Sequence, residues 1–236
     1  AIDGYRGDAH AFRQYFDDVG PRAATEMVIW FEPSMLPGYA WSFPLPNRTA
    51  NVGFGIHRGG QVSIHEMKQL WNDLLDEPHV KDFLGPDASG IGTHKAWPIP
   101  ARVGQIPLVG PRTLFVGDAA AVTDPMTGEG IGQALLSGRL AAESIIAGDY
   151  PSASYERRVR AELVADHRLG RAIIPLLARR RAVDSALRLT ATSKWTRRSF
   201  ARWMFEDYPR AMIATPRRWH RGMFTGPGSF ARDRGH

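Results

Sequence analysis

Residues 114–140, LFVGDAAAVTDPMTGEGIGQALLSGRL, do most to restrict what this chain can fold into. An apolar run stops at Gly117-Asp118, a turn containing Pro125 and Gly128 follows, and no charged side chain stands between Glu129 and Arg139. So short an apolar run, TLFVG at 113–117, reads as a buried strand, and 129–147 reads as a helix. The strand's end places Asp118 at the carboxyl edge of a sheet, where open α/β sheets take ligands. A carboxylate there accepts hydrogen bonds from sugar or polyol hydroxyls. Gly130 bares the backbone in the first helical turn, whose positive dipole end favours a negative group on the ligand. Gly130, Ala134, Gly138 and Ala142 recur at every fourth position with Ser137 and Ala141 beside them, a stripe that lets another element approach closely. Gly-Asp alone is also an ordinary turn, and small residues alone are also ordinary core packing.

The rest of the chain suits a mixed α/β (α+β) fold. EMVIWFE (26–32), YAWSFP (39–44) and TANVGFGIH (49–57) have β character. Leu45-Pro46-Asn47-Arg48 joins the last two as an antiparallel hairpin. In 49–57, Val52, Phe54 and Ile56 share one face, leaving Gly53 and Gly55 a bare opposite face that a ligand or backbone can approach. Ser63 and Glu66 have capping-box spacing ahead of Leu70, Leu74 and Leu75, which predicts a helix over 63–76. A strand is expected near GTHKAWPI, and helices over 152–215.

Composition excludes several classes. The chain has no cysteine, hence no disulfide, cysteine-ligated zinc or thiol nucleophile. Its histidines show no metal-binding spacing, so no metal is expected. No apolar run is long enough to span a membrane as a helix. Charge is divided unevenly: residues 1–178 hold 16 Lys/Arg against 20 Asp/Glu, and residues 179–236 hold 14 against 4. That asymmetry points to an anionic partner for the C-terminal quarter.

FVGDAAAVTDPMTGEGIGQALLSGRLAAESI resembles the second flavin-binding motif of FAD-dependent oxidoreductases shaped like the aromatic hydroxylases. It is most like the version in the geranylgeranyl reductase family, roughly GDAAG…DPLTGEGI…A…SGRLAAE. The resemblance implies FAD as cofactor, with Asp118, after Gly117, holding a ribityl hydroxyl. Gly128 and Gly130 would lie beneath the isoalloxazine and diphosphate, with Pro125, Thr127, Glu129 and Ile131 lining the turn. Ala121 departs from the family's usual Gly. GYAWSFPLP is similar to the family's YxWxFP motif, which implies that Tyr39, Trp41, Phe43 and Pro44 face a prenyl lipid substrate. The implied reaction is hydride transfer from reduced flavin to a C=C bond. The catalytic proton donor stays unassigned, since Tyr39 serves equally as donor or as wall, and the electron donor, NAD(P)H or another reductant, stays open.

The expected organisation is a substrate-binding β-sheet domain at 1–112, the second FAD motif at 113–150 as part of a Rossmann-like domain, and a basic helical region at 151–236. No strand followed by G-x-G-x-x-G is present, so the chain reads as the C-terminal part of a longer flavoenzyme that binds FAD poorly by itself. Residues 179–221 interleave arginines with Trp195, Phe200, Trp203, Phe205, Tyr208 and Trp219. They suit either an interfacial helix on anionic lipid or a solvated helical cap. Nucleic acid ranks last as partner because no recognisable motif accompanies the charge. The expected location is cytoplasmic, peripheral to a membrane. Two other functions remain open: an FAD-dependent aromatic-type monooxygenase, and a non-catalytic membrane- or nucleic-acid-binding remnant.

Overall fold

The computed structural model describes residues 5–59, 63–205, 209–219 and 223. They form two compact units, 1–100 with 177–180, and 101–176 with 181–236.

The first unit is a five-stranded antiparallel sheet backed by two helices. Its strands are β1 (Ala9–Asp17), β2 (Val28–Trp30), β3 (Tyr39–Leu45), β4 (Thr49–His57) and β5 (Ser89–Ile99), in the order β2-β3-β4-β1-β5. Alternation sends Phe12, Phe16, Ala40, Ala50, Val52, Phe54 and Ile56 to one face. There they meet α1 (Met67–Asp76) through Leu70, Trp71 and Leu74, and α2 (Pro78–Leu84) through Val80 and Phe83. Phe12 stacks on Phe54 with ring centroids 5.4 Å apart, and Trp71 closes over both. The expected hairpin is present, with Asn47 and Arg48 both at positive φ in its turn.

The predicted helix start is correct in its cap and late in its helix. Glu66 Oε2 accepts from Ser63 N–H at 2.8 Å and from Ser63 Oγ at 2.6 Å, but a 3₁₀ turn spans Ile64–Glu66 and α1 begins at Met67. The sequence reading missed β1 and α2. In β1 only Phe12 and Phe16 are buried, too sparse a signal to reveal alternation. The seven residues of α2 are too few to show a period, although Pro78 opens it and Gly85 (φ 91°) closes it.

In the second unit the expected buried strand 113–117 is corrected. Only Thr113–Leu114 (β7) pairs, with Val109–Gly110 (β6), and Val116 is exposed. Gly117 (φ 56°) turns the chain into a 3₁₀ segment over Gly117–Ala120, so Asp118 sits in that turn after a two-stranded ribbon. Every strand pair among the described residues is antiparallel. The helices are α3 (Ile131–Ala147), α4 (Pro151–Leu177), α5 (Arg180–Ala191) and α6 (Lys194–Phe205). Val103, Leu108, Val122 and Leu140 pack with Tyr155, Val159 and Leu163 of α4. Among the described residues no helix is long and apolar enough to cross a membrane.

Candidate functional site

The Asp118 loop is the first candidate. Its turn is tied from below: Gly117 N–H donates to Ser137 Oγ of α3 at 3.1 Å, and Tyr155 Oη donates to the Phe115 carbonyl at 2.5 Å. Burial pushes the Tyr155 phenol up to about 12, so it stays a donor at all physiological pH. The Asp118 side chain is left open to solvent, with Oδ1 accepting from Thr123 Oγ1 at 3.1 Å. Gly130 is the N-cap of α3, and a Cβ placed on it would lie 3.0 Å from Thr123 Oγ1 and 3.8 Å from Asp118 Oδ1. The carboxylate and the helix start are therefore neighbours. Glu129 turns back to the Gly132 amide, and burial raises its carboxyl, opposed by Arg210 and by that amide. In the first turn of α3, Gln133 Oε1 is buried with no hydrogen-bond partner among the described residues.

The remaining residues of the turn do a different job. Pro125 and Thr127 are buried, whereas Asp118, Gly128 and Ile131 are exposed. Thr127 Oγ1 donates to Asp124 Oδ1 at 2.9 Å, and the same oxygen accepts the Met126 and Thr127 amides at 3.0 and 2.8 Å. Asp124 Oδ2 faces Arg210 Nε at 3.2 Å, an ion pair with both side chains buried. Sequence reading missed Asp124, hidden as the ordinary start of an Asp-Pro turn, and took Arg210 for part of a basic surface. Gly170 of α4 leaves room for Pro125, because a Cβ there would come within 3.0 Å of the ring.

His167 of α4 holds the Val122 carbonyl through Nε2 at 3.0 Å, while its buried Nδ1 has no hydrogen-bond partner among the described residues. Burial, helped by Arg171, holds its pKa below the ordinary 6.5, against the Val122 bond, Asp124 and Asp166. In the unfolded chain this ring takes a proton as pH falls below 6.5, and in the folded chain it resists. Its contribution is thus whole above that pH and is lost below it, by at most about 1.4 kcal/mol per pH unit until the folded ring protonates. His10 and His57 are also lowered, so the test is a comparison. Urea denaturation at pH 7 and pH 5.5 should show a smaller loss on acidification in His167→Gln than in the wild type.

The small-residue stripe is packed only in part, with Ala134 3.3 Å from a Cβ built on Gly117. Ser137, Leu140, Ala141 and Ser144 form the buried face of α3, and Gly138 meets nothing within 4 Å of a built Cβ. Along the open side, Ile131 is 78% exposed, Leu135 71% and Ile146 84%.

The second candidate is the face of the first unit's sheet opposite its core. Three rows run across β3, β4, β1 and β5: Tyr39–Gly55–Ala11–Trp97, Trp41–Gly53–Arg13–Lys95, and Phe43–Asn51–Tyr15–Ile91. Tyr39, Trp41 and Phe43 form a ladder with centroids 5.9 Å apart at each step. Pro44 alternates to the side of Ala40 and Ser42, so it does not join them. Trp41 itself covers Gly53, where a Cβ would fall 2.6 Å from its ring, so one of the two bare glycines serves a side chain.

The basic region divides. Arg202 and Arg210 are buried, and Arg218 pairs with Asp166 at 2.8 Å and Glu162 at 3.5 Å. These hold the unit together rather than facing a partner. Arg179, Arg181, Arg188, Lys194 and Arg197 are exposed, as are Leu189 and Trp195. Tyr208 and Arg221 lie outside the described residues, as does the side chain of Phe205.

No protein-family model matches the chain. It is 36% identical over 153 residues to digeranylgeranylglycerophospholipid reductase 1 of Methanopyrus kandleri, covering 60% of this chain and 37% of the relative. It is 35% identical over 129 residues to menaquinone reductase of Mycolicibacterium smegmatis, covering 52% and 30%. A digeranylgeranylglycerophospholipid reductase of Methanoculleus marisnigri is 41% identical over 123 residues, covering 48% and 27%. The chain thus spans about a third of the length of these curated relatives. Among solved structures, a geranylgeranyl bacteriochlorophyll reductase-like protein of Thermoplasma acidophilum superposes with a TM-score of 0.64 at 21% identity, over 91% of this chain and 56% of that one. A flavin-dependent brominase superposes with a TM-score of 0.60 at 17% identity, over 89% and 54%. At these identities the likeness is one of fold.

Proposed function

The chain belongs to the geranylgeranyl reductase and menaquinone reductase family of FAD-dependent oxidoreductases, and from that premise we propose that it is part of an enzyme reducing C=C bonds of a prenyl lipid. One observation carries the proposal: the open Asp118 carboxylate beside the bare N-terminus of α3. The residues present fit FAD. Among the described residues Asp118 Oδ2 makes no hydrogen bond and Gln133 Oε1 is buried without a partner, so the first can accept a ribityl hydroxyl and the second an N–H or O–H. Gly128 and Gly130 keep side chains off the surface between them. FAD would supply the hydride. The protein's own part is to fix the carboxylate through the Thr123, Ser137 and Tyr155 bonds and to hold an apolar chain against Tyr39, Trp41 and Phe43. Tyr39 remains a candidate proton donor only on its position in that ladder.

The exposed apolar side of α3 supports a further element covering it in the complete enzyme, so FAD should bind weakly to the 236 residues alone. The exposed arginines and Trp195 of α5 and α6 support contact with anionic lipid.

Flavin titration followed by fluorescence quenching tests the cofactor site. Asp118→Ala should weaken FAD at least about tenfold, and Asp118→Asn should weaken it less, since it keeps one acceptor. Unchanged affinity in Asp118→Ala would sink the assignment. For the reaction, incubation of the complete enzyme with reductant and a prenyl lipid should add two hydrogens per double bond by mass. Oxygen incorporation would favour a monooxygenase instead.

A further inference from the structure

We infer that residues 210–218 form a strap that positions the cofactor turn, with Arg210 and Asp166 setting the affinity for FAD without touching it. This rests on the Asp118 loop being the FAD site. The turn is held from two sides: His167 Nε2 donates to the Val122 carbonyl just before it, and Arg210 Nε donates to Asp124 Oδ2 at its start. Both holds lead to one place on α4. His167 belongs to that helix, and its neighbour Asp166 accepts the Ala211 amide through Oδ1 at 2.9 Å. Val122, His167, Asp166, Ala211, Arg210 and Asp124 thus close a ring, and every member of it is buried.

The strap is pinned again further on. Arg218 Nη1 donates to Asp166 Oδ2 at 2.8 Å and to the Glu162 carbonyl at 2.9 Å, and Arg217 Nη2 donates to the Ala161 carbonyl at 3.2 Å. Asp166 therefore places one oxygen at each end of the strap.

The chemistry of the ring favours positioning over packing alone. Apolar side chains would hold a strap as firmly, since exchanging a buried ion pair for apolar groups is often neutral or stabilising. What directional bonds add is orientation. Asp124 Oδ2 faces Arg210 while Oδ1 gathers the Met126 and Thr127 amides, so the guanidinium sets the plane of the carboxylate and with it the path of the turn. The turn runs on to Glu129, whose carbonyl takes the Asp124 amide at 2.8 Å, and reaches Gly130. A Cβ on Gly130 would stand 3.8 Å from Asp118 Oδ1, so a small shift of the turn alters the gap between the carboxylate and the helix start. Buried itself, Arg210 offers no surface to a ligand, and its influence passes through Asp124.

The test is FAD titration of the complete apoenzyme by fluorescence quenching, at a temperature where every variant compared is folded, with denaturant midpoints measured alongside. R210M removes the charge and the fork, R210K keeps the charge without the fork, and R218Q loosens the far end of the strap without touching Asp124. R210M should bind FAD about 3- to 30-fold more weakly than the wild type, with R210K and R218Q between the two. Where R210M fails to fold, R210K and R218Q carry the test. The loss from R210K should shrink in a D118A background, because both changes act on one gap. Coupling between strap and cofactor is reciprocal, so FAD should also slow hydrogen exchange of the Ala211 amide in the wild type. If R210K and R218Q bind FAD as tightly as the wild type, whatever their stability, the positioning role is overturned and the FAD assignment stands. An Ala211 amide that exchanges equally fast with and without FAD overturns it too. If D118A itself binds FAD like the wild type, the cofactor site falls, and the strap proposal with it.

Discussion

Asp124→Ala should cost the second unit about 3–5 kcal/mol, the usual consequence of leaving a buried charge without its partner. The charge left behind is the Arg210 guanidinium, which is as buried as Asp124 itself. Arg210 cannot move out cheaply, because it also donates to the Met204 carbonyl at 2.5 Å and lies 5.6 Å from the Trp203 ring. The loss also reaches the candidate site. Asp124 gathers the Met126 and Thr127 amides on its side chain, and its backbone bonds both Glu129 and Gly128. One residue therefore builds the turn that delivers Gly130 to Asp118. Asp124→Asn should cost less, since its oxygen still serves the two amides. Adding Arg210→Met to Asp124→Ala should recover much of the loss, because an apolar replacement of both partners removes the stranded charge. Trp203 fluorescence during denaturation reports on this region directly, as its Nε1 donates to the Arg210 carbonyl at 3.2 Å. A double variant as unstable as Asp124→Ala alone would mean that the turn bonds, not the ion pair, dominate.

The contrast between Asp118 and Asp124 shows what the sequence made legible. Asp118 follows an apolar run and a glycine, a pattern that predicts the end of a buried strand, whereas the structure puts it in an exposed 3₁₀ turn beside Gly130. The value of Asp124 depends on Arg210, 86 residues away, and no local pattern encodes such a pair. The same holds for α4. Its periodicity announces a helix, but not that Tyr155, His167 and Gly170 lie behind the loop at Phe115, Val122 and Pro125.

Ala121 was legible as a departure and not as a strain. The structure gives it φ 48°, a left-handed conformation that costs an alanine about 1–2 kcal/mol and a glycine little. Where the motif has Gly, that conformation explains it. The two-residue ribbon at β6–β7 was misread for the opposite reason. TLFVG has the composition of a buried strand, but Gly117 breaks the run before a longer ladder can form.

Glycines around β3 provide the steepest test of the sheet. In sequence, Gly38, Gly53 and Gly55 look equally permissive; in space they differ sharply. A Cβ on Gly38 would fall 1.9 Å from the Gly55 carbonyl oxygen and 2.9 Å from that of Met35, which are backbone atoms fixed by the ladder and a turn. Gly38→Ala must therefore push β3 off β4 at the Tyr39 end, with a loss of about 3 kcal/mol or more, at the upper end for overpacking. Gly53→Ala meets the Phe12 carbonyl at 2.5 Å and the Trp41 ring at 2.6 Å, so part of its strain can be relieved by turning Trp41 away. It should cost less and disturb the aromatic ladder more. Gly55→Ala finds its nearest atom at 3.8 Å and should be neutral or slightly stabilising, since alanine loses less entropy than glycine on entering a strand. Denaturant midpoints should follow the order Gly55→Ala, Gly53→Ala, Gly38→Ala from most to least stable. Near-ultraviolet circular dichroism should report the largest aromatic change per unit of stability in Gly53→Ala. If Gly38→Ala instead proves as stable as Gly55→Ala, β3 does not pair with β4 at Tyr39–Gly55, and the three-row face that seats the aromatic wall is lost with it.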